Sequence, residues 1–334
     1  MKKTVVIAEA GINHNGDISL AHHLIDVAAD AGADVVKFQT FRAESLATKN
    51  APKAEYQISA TTNGESQYAM LNRLELTQSA HELLFEHCKK RGIKFLSTAF
   101  DLESLDLLVG FDMPFYKIPS GEITNLPYLR KVGALGKEIV LSTGMCELSE
   151  IQDALHYLES AGTPREKVTV MHCTTDYPTS LADVNLRAML QIQHACRVRV
   201  GYSDHTLGGI TPIAAVAMGA TMIEKHFTVD RSLPGPDHQA SLTPTELRHM
   251  VDAIRNTEVL MGSPLKRPTT QEKQSMKIVR KSIVAKKEIS EGELFSEENI
   301  TSKRPGTGLS PMLWDSIIGT RAKRRFTADE LIEL

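Results

Sequence analysis

Eight short runs of β-branched and aliphatic residues alternate along the chain with segments whose apolar residues fall at helical spacing, and this alternation constrains the fold more than any other feature. The runs are 4–10, 35–40, 94–99, 115–119, 138–142, 167–172, 198–202 and 221–226. The helical segments are 19–31, 79–90, 102–109, 126–134, 149–160, 186–195, 210–218 and 245–261. Short apolar runs bounded by polar loops read as buried strands, and strands that alternate with helices pair in parallel through right-handed crossovers. Such a series either closes into a barrel or spreads into an open, doubly wound sheet. Polar and charged residues follow nearly every strand instead of gathering at one crevice. The predicted fold class is therefore α/β, a (β/α)8 TIM barrel with its chemistry at the carboxyl ends of the strands.

The alternation stops at Gly262, which sets the expected catalytic barrel domain at 1–262. Residues 263–281, rich in Pro, Lys, Thr and Gln, read as an extended linker. Residues 282–334 hold short strands and turns, such as Ser282-Ile283-Val284-Ala285 and Lys303-Arg304-Pro305-Gly306. A module of about fifty residues has little core of its own and is expected to pack on something. Inside the barrel domain, residues 41–77 are too long and polar for a routine connection. That segment includes Lys49-Asn50-Ala51-Pro52-Lys53 and Thr61-Thr62-Asn63-Gly64 and is expected to be a lid or an interface arm.

Lys and Arg number 38 against 41 Asp and Glu, so bulk electrostatics offer nothing to nucleic acid or another polyanion. An anionic ligand must be gripped by a local cluster. The four cysteines show no CxxC spacing and lie in or beside apolar segments, which predicts reduced thiols of a cytoplasmic protein. No apolar run is long enough to cross a bilayer, and Glu9 arrives too early for a signal peptide, so no membrane association or export by that route is expected.

Two histidines follow neighbouring strands, in Tyr202-Ser203-Asp204-His205 and Glu224-Lys225-His226-Phe227. A single buried histidine is usually a satisfied core residue, but this matched pair, each beside a carboxylate, is suited to a divalent ion that keeps positions open for water and substrate. The other strand ends supply Glu9, Lys37, Gln39, Ser97, Thr98, Lys117, Ser120, Ser142, Thr143, His172, Thr174, Thr175, Ser203 and Glu224. Two ammonium groups and several hydroxyls around one mouth suit a ligand carrying phosphate and carboxylate, such as phosphoenolpyruvate. Lys117 stands between apolar neighbours and must find anionic company inside the mouth. Glu122, at the turn Pro119-Ser120-Gly121-Glu122, is placed either as a general acid or base or as a first-turn helix acid. Asp237, in the rigid turn Pro234-Gly235-Pro236-Asp237-His238, either accepts sugar hydroxyls or shapes the loop.

Several motifs resemble the sialic acid synthases, essentially end to end and in register. They are Ile7-Ala8-Glu9-Ala10-Gly11-Ile12-Asn13-His14-Asn15-Gly16, Val36-Lys37-Phe38-Gln39-Thr40, Lys117-Ile118-Pro119-Ser120-Gly121-Glu122, Leu141-Ser142-Thr143-Gly144-Met145, Tyr202-Ser203-Asp204-His205 and Gly235-Pro236-Asp237. The resemblance implies condensation of phosphoenolpyruvate with open-chain N-acetylmannosamine and release of phosphate by C–O cleavage. It implies that His205 and His226 hold Mn2+ or Mg2+, and that Lys37, Lys117, Ser120, Ser142 and Ser203, with Tyr177 beside them, grip phosphoenolpyruvate. Glu122 matches the acid/base carboxylate, Glu9 and Asp237 match sugar contacts, and Arg304 matches an arginine that meets the N-acyl group from the partner subunit. The tail resembles an antifreeze-like SAF domain (a β-clip), which in this family caps the partner's barrel in a domain-swapped homodimer. Thr175 stands where some members carry Asn, and Phe38 where one branch carries His. Resemblance to the legionaminic acid synthases, around Gly121-Glu122-Ile123-Thr124-Asn125-Leu126-Pro127, makes 2,4-diacetamido-2,4,6-trideoxymannose the alternative acceptor.

Two other classes are open to these residues. A Schiff-base aldolase would use Lys117 as nucleophile without a metal. A non-catalytic binding protein would use its tail for carbohydrate or ice contact.

Overall fold

The computed structural model describes residues 3–53 and 65–334. The chain divides into two compact units, Met1–Gly262 and Ser263–Leu334.

In the first unit, eight parallel strands, β1 (Val5–Gly11), β2 (Val35–Thr40), β3 (Lys94–Ala99), β4 (Tyr116–Ile118), β5 (Ile139–Ser142), β6 (Val168–His172), β7 (Arg199–Asp204) and β8 (Met222–His226), run in the order 3-2-1-8-7-6-5-4. Consecutive strands pair side by side except for β3 and β4, the two ends of the order, and β1 pairs with β8, so the sheet curls into a nearly closed TIM-type barrel. Helices α1 (Ile18–Asp30), α2 (Ala43–Leu46), α3 (Gln67–Leu74), α4 (Gln78–Arg91), α5 (Leu102–Val109), α6 (Leu126–Gly133), α7 (Leu148–Ala161), α8 (Arg187–Cys196), α9 (Ile210–Ala217) and α10 (Pro244–Met261) connect or follow the strands. Several polar loops at strand ends double as helix caps. Asp17, Asp101 and Asn125 each accept a first-turn N–H, which satisfies an otherwise orphaned donor.

Side chains on a strand alternate between the helices and the barrel interior. One inward set, Ile7, Val35, Leu96, Phe115, Val140 and Met171, forms an apolar cluster joined by Met222. Two residues further along each strand, the inward positions turn polar: Glu9, Lys37, Thr98, Lys117, Ser142, Cys173, Ser203 and Glu224. Two further on come Gln39, Phe100, Pro119, Thr175, His205 and His226. A greasy plug thus carries a charged tier, and the charged tier carries the histidines. The outward positions, such as Val36, Phe38, Ile118, Leu141 and Val200, pack against the helices in the main core. Phe38 is fully buried there, 6.1 Å from Phe95, so its departure from the one-branch His lies away from the barrel interior.

The long second connection holds α3, whose Met70, Leu71 and Leu74 pack with Ile12, Phe41 and Ala43. The expected Thr61-Thr62-Asn63-Gly64 portion lies outside the described residues.

The second unit differs from expectation in its first part. The stretch read as extended contains a helix, α11 (Thr270–Val279), whose Thr269 and Glu272 form a reciprocal capping box. All of α11 is at least partly exposed, so no apolar stripe announces it in the sequence. Beyond it, β9 (Ser282–Ala285) pairs antiparallel with β10 (Ile300–Lys303). This unit does bury a cluster of its own, including Ile283, Ile289, Phe295, Ile300, Ile317, Phe326 and Ile332.

Close strand packing at one inward position yields a test. A Cβ on Gly201 would stand 2.7 Å from the Met222 carbonyl oxygen. Gly201→Ala is expected to lower unfolding stability by about 2 kcal/mol through this overpacking, measured by urea denaturation; an unchanged midpoint would contradict the close β7–β8 approach.

Candidate active site

The charged tier is organised around Glu224. Its Oε1 is 2.8 Å from Lys37 Nζ, and Lys117 Nζ donates to both carboxylate oxygens at 2.9 Å. Ser203 Oγ also donates to Oε1 at 3.2 Å. Lys37 reaches a second carboxylate, Glu9, at 3.4 Å, and Gln39 donates to the other oxygen of Glu9 at 3.1 Å. All four charged side chains are nearly inaccessible to solvent. Burial disfavours every one of these charges, and the outcome depends on company. Glu224, facing two ammonium groups, is held well below the usual carboxylate range. Burial pushes Glu9 the other way, to about 7, with Lys37 only partly offsetting it and Glu224 repelling it. Oε2 of Glu9 makes no hydrogen bond. Glu224 is the residue sequence reasoning undervalued: it stood in the strand-end inventory without a role, although period-two alternation from Met222 aims it inward.

Above this tier, the rings of His205 and His226 are 5.7 Å apart, on adjacent strands, as their matched positions predicted. His205 Nδ1 donates to the Thr174 carbonyl at 2.6 Å, which leaves Nε2 as the nitrogen with the lone pair. His226 Nδ1 is buried without a hydrogen bond, 3.9 Å from Asp237 Oδ2. Burial drives the pKa of His205 down to about 4 and that of His226 well below its ordinary value, so both imidazoles are neutral. Neutral rings with one oriented tautomer and one orphaned nitrogen fit a divalent cation. Among the described residues no third His, Cys, Asp or Glu completes a ligand cluster, so the remaining positions would fall to water and substrate. Asp237 is buried and pushed up to about 7 by that burial. Tyr177 packs its ring 4.1 Å from His205 and 5.9 Å from His226.

The hydroxyls expected to hold an anion surround the same space. Ser142 Oγ is buried without a partner, and Ser120 Oγ accepts from the Gly144 N–H at 2.9 Å. Gly144 is required here, since a Cβ would lie 2.1 Å from Thr175 Oγ1. Lys37, Lys117, Ser120, Ser142, Thr175, Tyr177, Ser203, His205, His226, Glu9 and Glu224 all line one cavity of about 200 Å³. An adjoining cavity of about 290 Å³ shares Gln39, Phe100, Tyr177 and His226 with it and adds Asp237 and an apolar wall of Ile12, Phe41, Leu46, Met70 and Leu71.

Glu122 lines neither cavity, and Arg304 belongs to the other unit. Glu122 follows β4 in a short 3-10 turn, half-buried, where Asn125 Nδ2 donates to it at 2.6 Å and burial raises its pKa. Arg304 belongs to the second unit, where it is exposed and its Nε donates to the Val279 carbonyl at 3.0 Å.

Known proteins match this arrangement over the full chain. The NeuB family pattern covers residues 24–266 and that of the SAF domain covers 280–333. The chain is 52% identical to the N,N'-diacetyllegionaminic acid synthase of Campylobacter jejuni, across 99% of both proteins. It is 44% identical to the protein of the same name from Legionella pneumophila, across 97% of this chain and 91% of the relative. The crystal structure of an N-acetylneuraminic acid (sialic acid) synthetase from Leptospira borgpetersenii superposes with a TM-score of 0.72 at 33% identity, covering 82% of this chain and 90% of that one. A synthase relationship of this extent sets aside the aldolase and binding-protein alternatives: the chain belongs to the NeuB family of nonulosonic acid synthases and carries a SAF domain at its carboxyl end.

Proposed function

We propose that the protein condenses phosphoenolpyruvate with the open-chain form of an N-acylated mannosamine-type sugar, and that the sugar is 2,4-diacetamido-2,4,6-trideoxymannose. The observation that carries this reading is the pairing of a two-lysine anion cradle with a neutral histidine dyad beside a half-apolar cavity. Lys37 and Lys117, released from Glu224, bind the phosphate and carboxylate, and Ser120, Ser142, Thr175 and Ser203 fill the remaining acceptor sites. C3 of the enol phosphate attacks the aldehyde carbon, C2 becomes oxocarbenium-like, water adds there, and phosphate departs with C–O cleavage. Glu9, which lines the cavity, is the carboxylate that moves protons, and its pKa of about 7 lets it change protonation state near neutrality; Glu122, which the resemblance matches to that part, lines neither cavity. A divalent ion, Mn2+ or Mg2+, held by His205 and His226 would supply Lewis acidity toward the sugar aldehyde.

The apolar wall of Ile12, Phe41, Leu46, Met70 and Leu71 suits a 6-methyl group and a second acetamido methyl better than the hydroxyls of N-acetylmannosamine. The 52% and 44% relatives support the same order, which reverses the expectation that placed N-acetylmannosamine first. Asp237 and Glu9 are assigned to sugar contacts. Arg304 is assigned to the N-acyl group of a sugar bound by the partner subunit, in a domain-swapped homodimer. Four free cysteines, three of them buried, are in keeping with a cytoplasmic setting.

Phosphate release measured with each sugar tests the acceptor: kcat/KM is expected to be at least about tenfold higher for the diacetamido sugar, since each well-buried methyl contributes on the order of 1 kcal/mol or more. A preference for N-acetylmannosamine would reverse the assignment. Chelation is expected to abolish turnover and Mn2+ to restore it, while His226→Ala stays folded and loses the metal response; full activity after exhaustive chelation would remove the metal from the scheme. Glu224→Gln leaves two buried ammonium groups short of a counter-charge and is expected to reduce ligand-free stability by about 3 kcal/mol. Saturating phosphoenolpyruvate should then raise Tm more in this variant than in the wild type, because the bound anion replaces the missing charge. Equal shifts in thermal denaturation would count against the cradle.

A further inference from the structure

Lys225 sits between Glu224 and His226 but faces the opposite side of β8 from both, toward the helices. Its ammonium is 2.5 Å from Asp204 Oδ2, and neither side chain is exposed at all. Asp204 lies directly opposite Lys225 in the β7–β8 ladder, one residue before His205. The same ammonium donates to the Thr206 carbonyl, one residue after His205. Asp204 in turn accepts from the Thr206 N–H at 3.1 Å and the Thr206 hydroxyl at 3.0 Å, and that hydroxyl lies 3.0 Å from Thr211 Oγ1. The backbone on both sides of His205 is therefore gripped by one buried ion pair anchored on the strand that carries His226.

A buried ion pair of this kind adds little net stability compared with well-packed apolar residues, because desolvation offsets the attraction. What it supplies is directionality: two charges and three donors have one good arrangement. Besides the Tyr177 ring packed 4.1 Å away, His205 is held through its Nδ1 bond to Thr174 and by the Thr179 N–H, which donates to the His205 carbonyl at 2.8 Å. All three of those partners belong to the loop after β6, not to β8.

We propose that Lys225 is a positioning residue, and that its ion pair with Asp204 sets the spacing of the His205 and His226 rings and thereby the affinity of the dyad for a divalent cation. This rests on the reading of the dyad as a metal site. It assigns control of that site to a pair of charges that touch neither metal nor substrate.

The test uses the full-length protein stripped of metal, with Mn2+ binding followed by electron paramagnetic resonance and phosphoenolpyruvate binding by calorimetry. In Asp204→Asn/Lys225→Met both charges disappear together, so no lone buried charge remains. The double variant is expected to keep its fold and its phosphoenolpyruvate affinity, while its Mn2+ dissociation constant rises by about tenfold or more, the range typical of outer-shell changes at metal sites. Thr206→Val, a near-isosteric change that removes only the hydroxyl held by Asp204, is expected to weaken Mn2+ binding about threefold, and it carries the test should the double variant fail to fold. Unchanged Mn2+ affinity in a folded variant, or equal loss of Mn2+ and phosphoenolpyruvate binding, would overturn the proposal. Absence of Mn2+ binding by the wild-type protein would instead remove the metal site itself and the proposal with it.

Discussion

Two ammonium groups inside a nearly closed barrel are the constraint that the rest of the first unit answers. Lys37 and Lys117 both reach Glu224, and neither has access to bulk water. Each ion, once buried, costs several kcal/mol in lost hydration, and that cost is recovered only by close and well-aligned counter-charge. Glu224 provides it to both, bidentately to Lys117, while Glu9 contributes from 3.4 Å. The two lysines are thus electrically satisfied by the chain's own carboxylates. Under the proposed function, an incoming anion takes over the part that Glu224 plays and competes with it for both ammonium groups.

The electrical character of the interior changes sharply from tier to tier. Below the charges lies the apolar set of Ile7, Val35, Leu96, Phe115, Val140 and Met171, which excludes water from beneath. Above them the histidines are neutral, because burial penalises the imidazolium more strongly than nearby carboxylates reward it. Lone pairs are therefore available at neutral pH without proton release. Of the buried polar atoms without a hydrogen bond among the described residues, Glu9 Oε2, Thr98 Oγ1 and Ser142 Oγ belong to the charged tier and His226 Nδ1 to the tier above it, and all four residues line the same cavity.

Much of this was legible in the sequence, for a specific reason. Each barrel strand is short, buried and bounded by polar loops, so its position shows in composition alone; Lys37 and Lys117 interrupt such runs, His226 ends one and His205 follows one. The roles within Glu224-Lys225-His226 were not legible in the same way. Three consecutive polar residues give no contrast from which to read a face, and only the pleat reveals that Glu224 turns inward to the lysines while Lys225 turns outward to Asp204. Helix α11 was hidden for the opposite reason. Its apolar residues, Met276, Ile278 and Val279, all fall in its last four positions and give no period along its length, so its signal was the Thr269/Glu272 cap. Arg304 could be assigned only by resemblance, since nothing in its local sequence says what it meets.

The apolar floor of the barrel has a corollary for access. A shaft stoppered at one end leaves the two adjoining cavities a common approach from the carboxyl ends of the strands, because the set of Ile7, Val35, Leu96, Phe115, Val140 and Met171 closes the other. Whatever enters either one therefore passes against the side chains that both share, Gln39, Phe100, Tyr177 and His226.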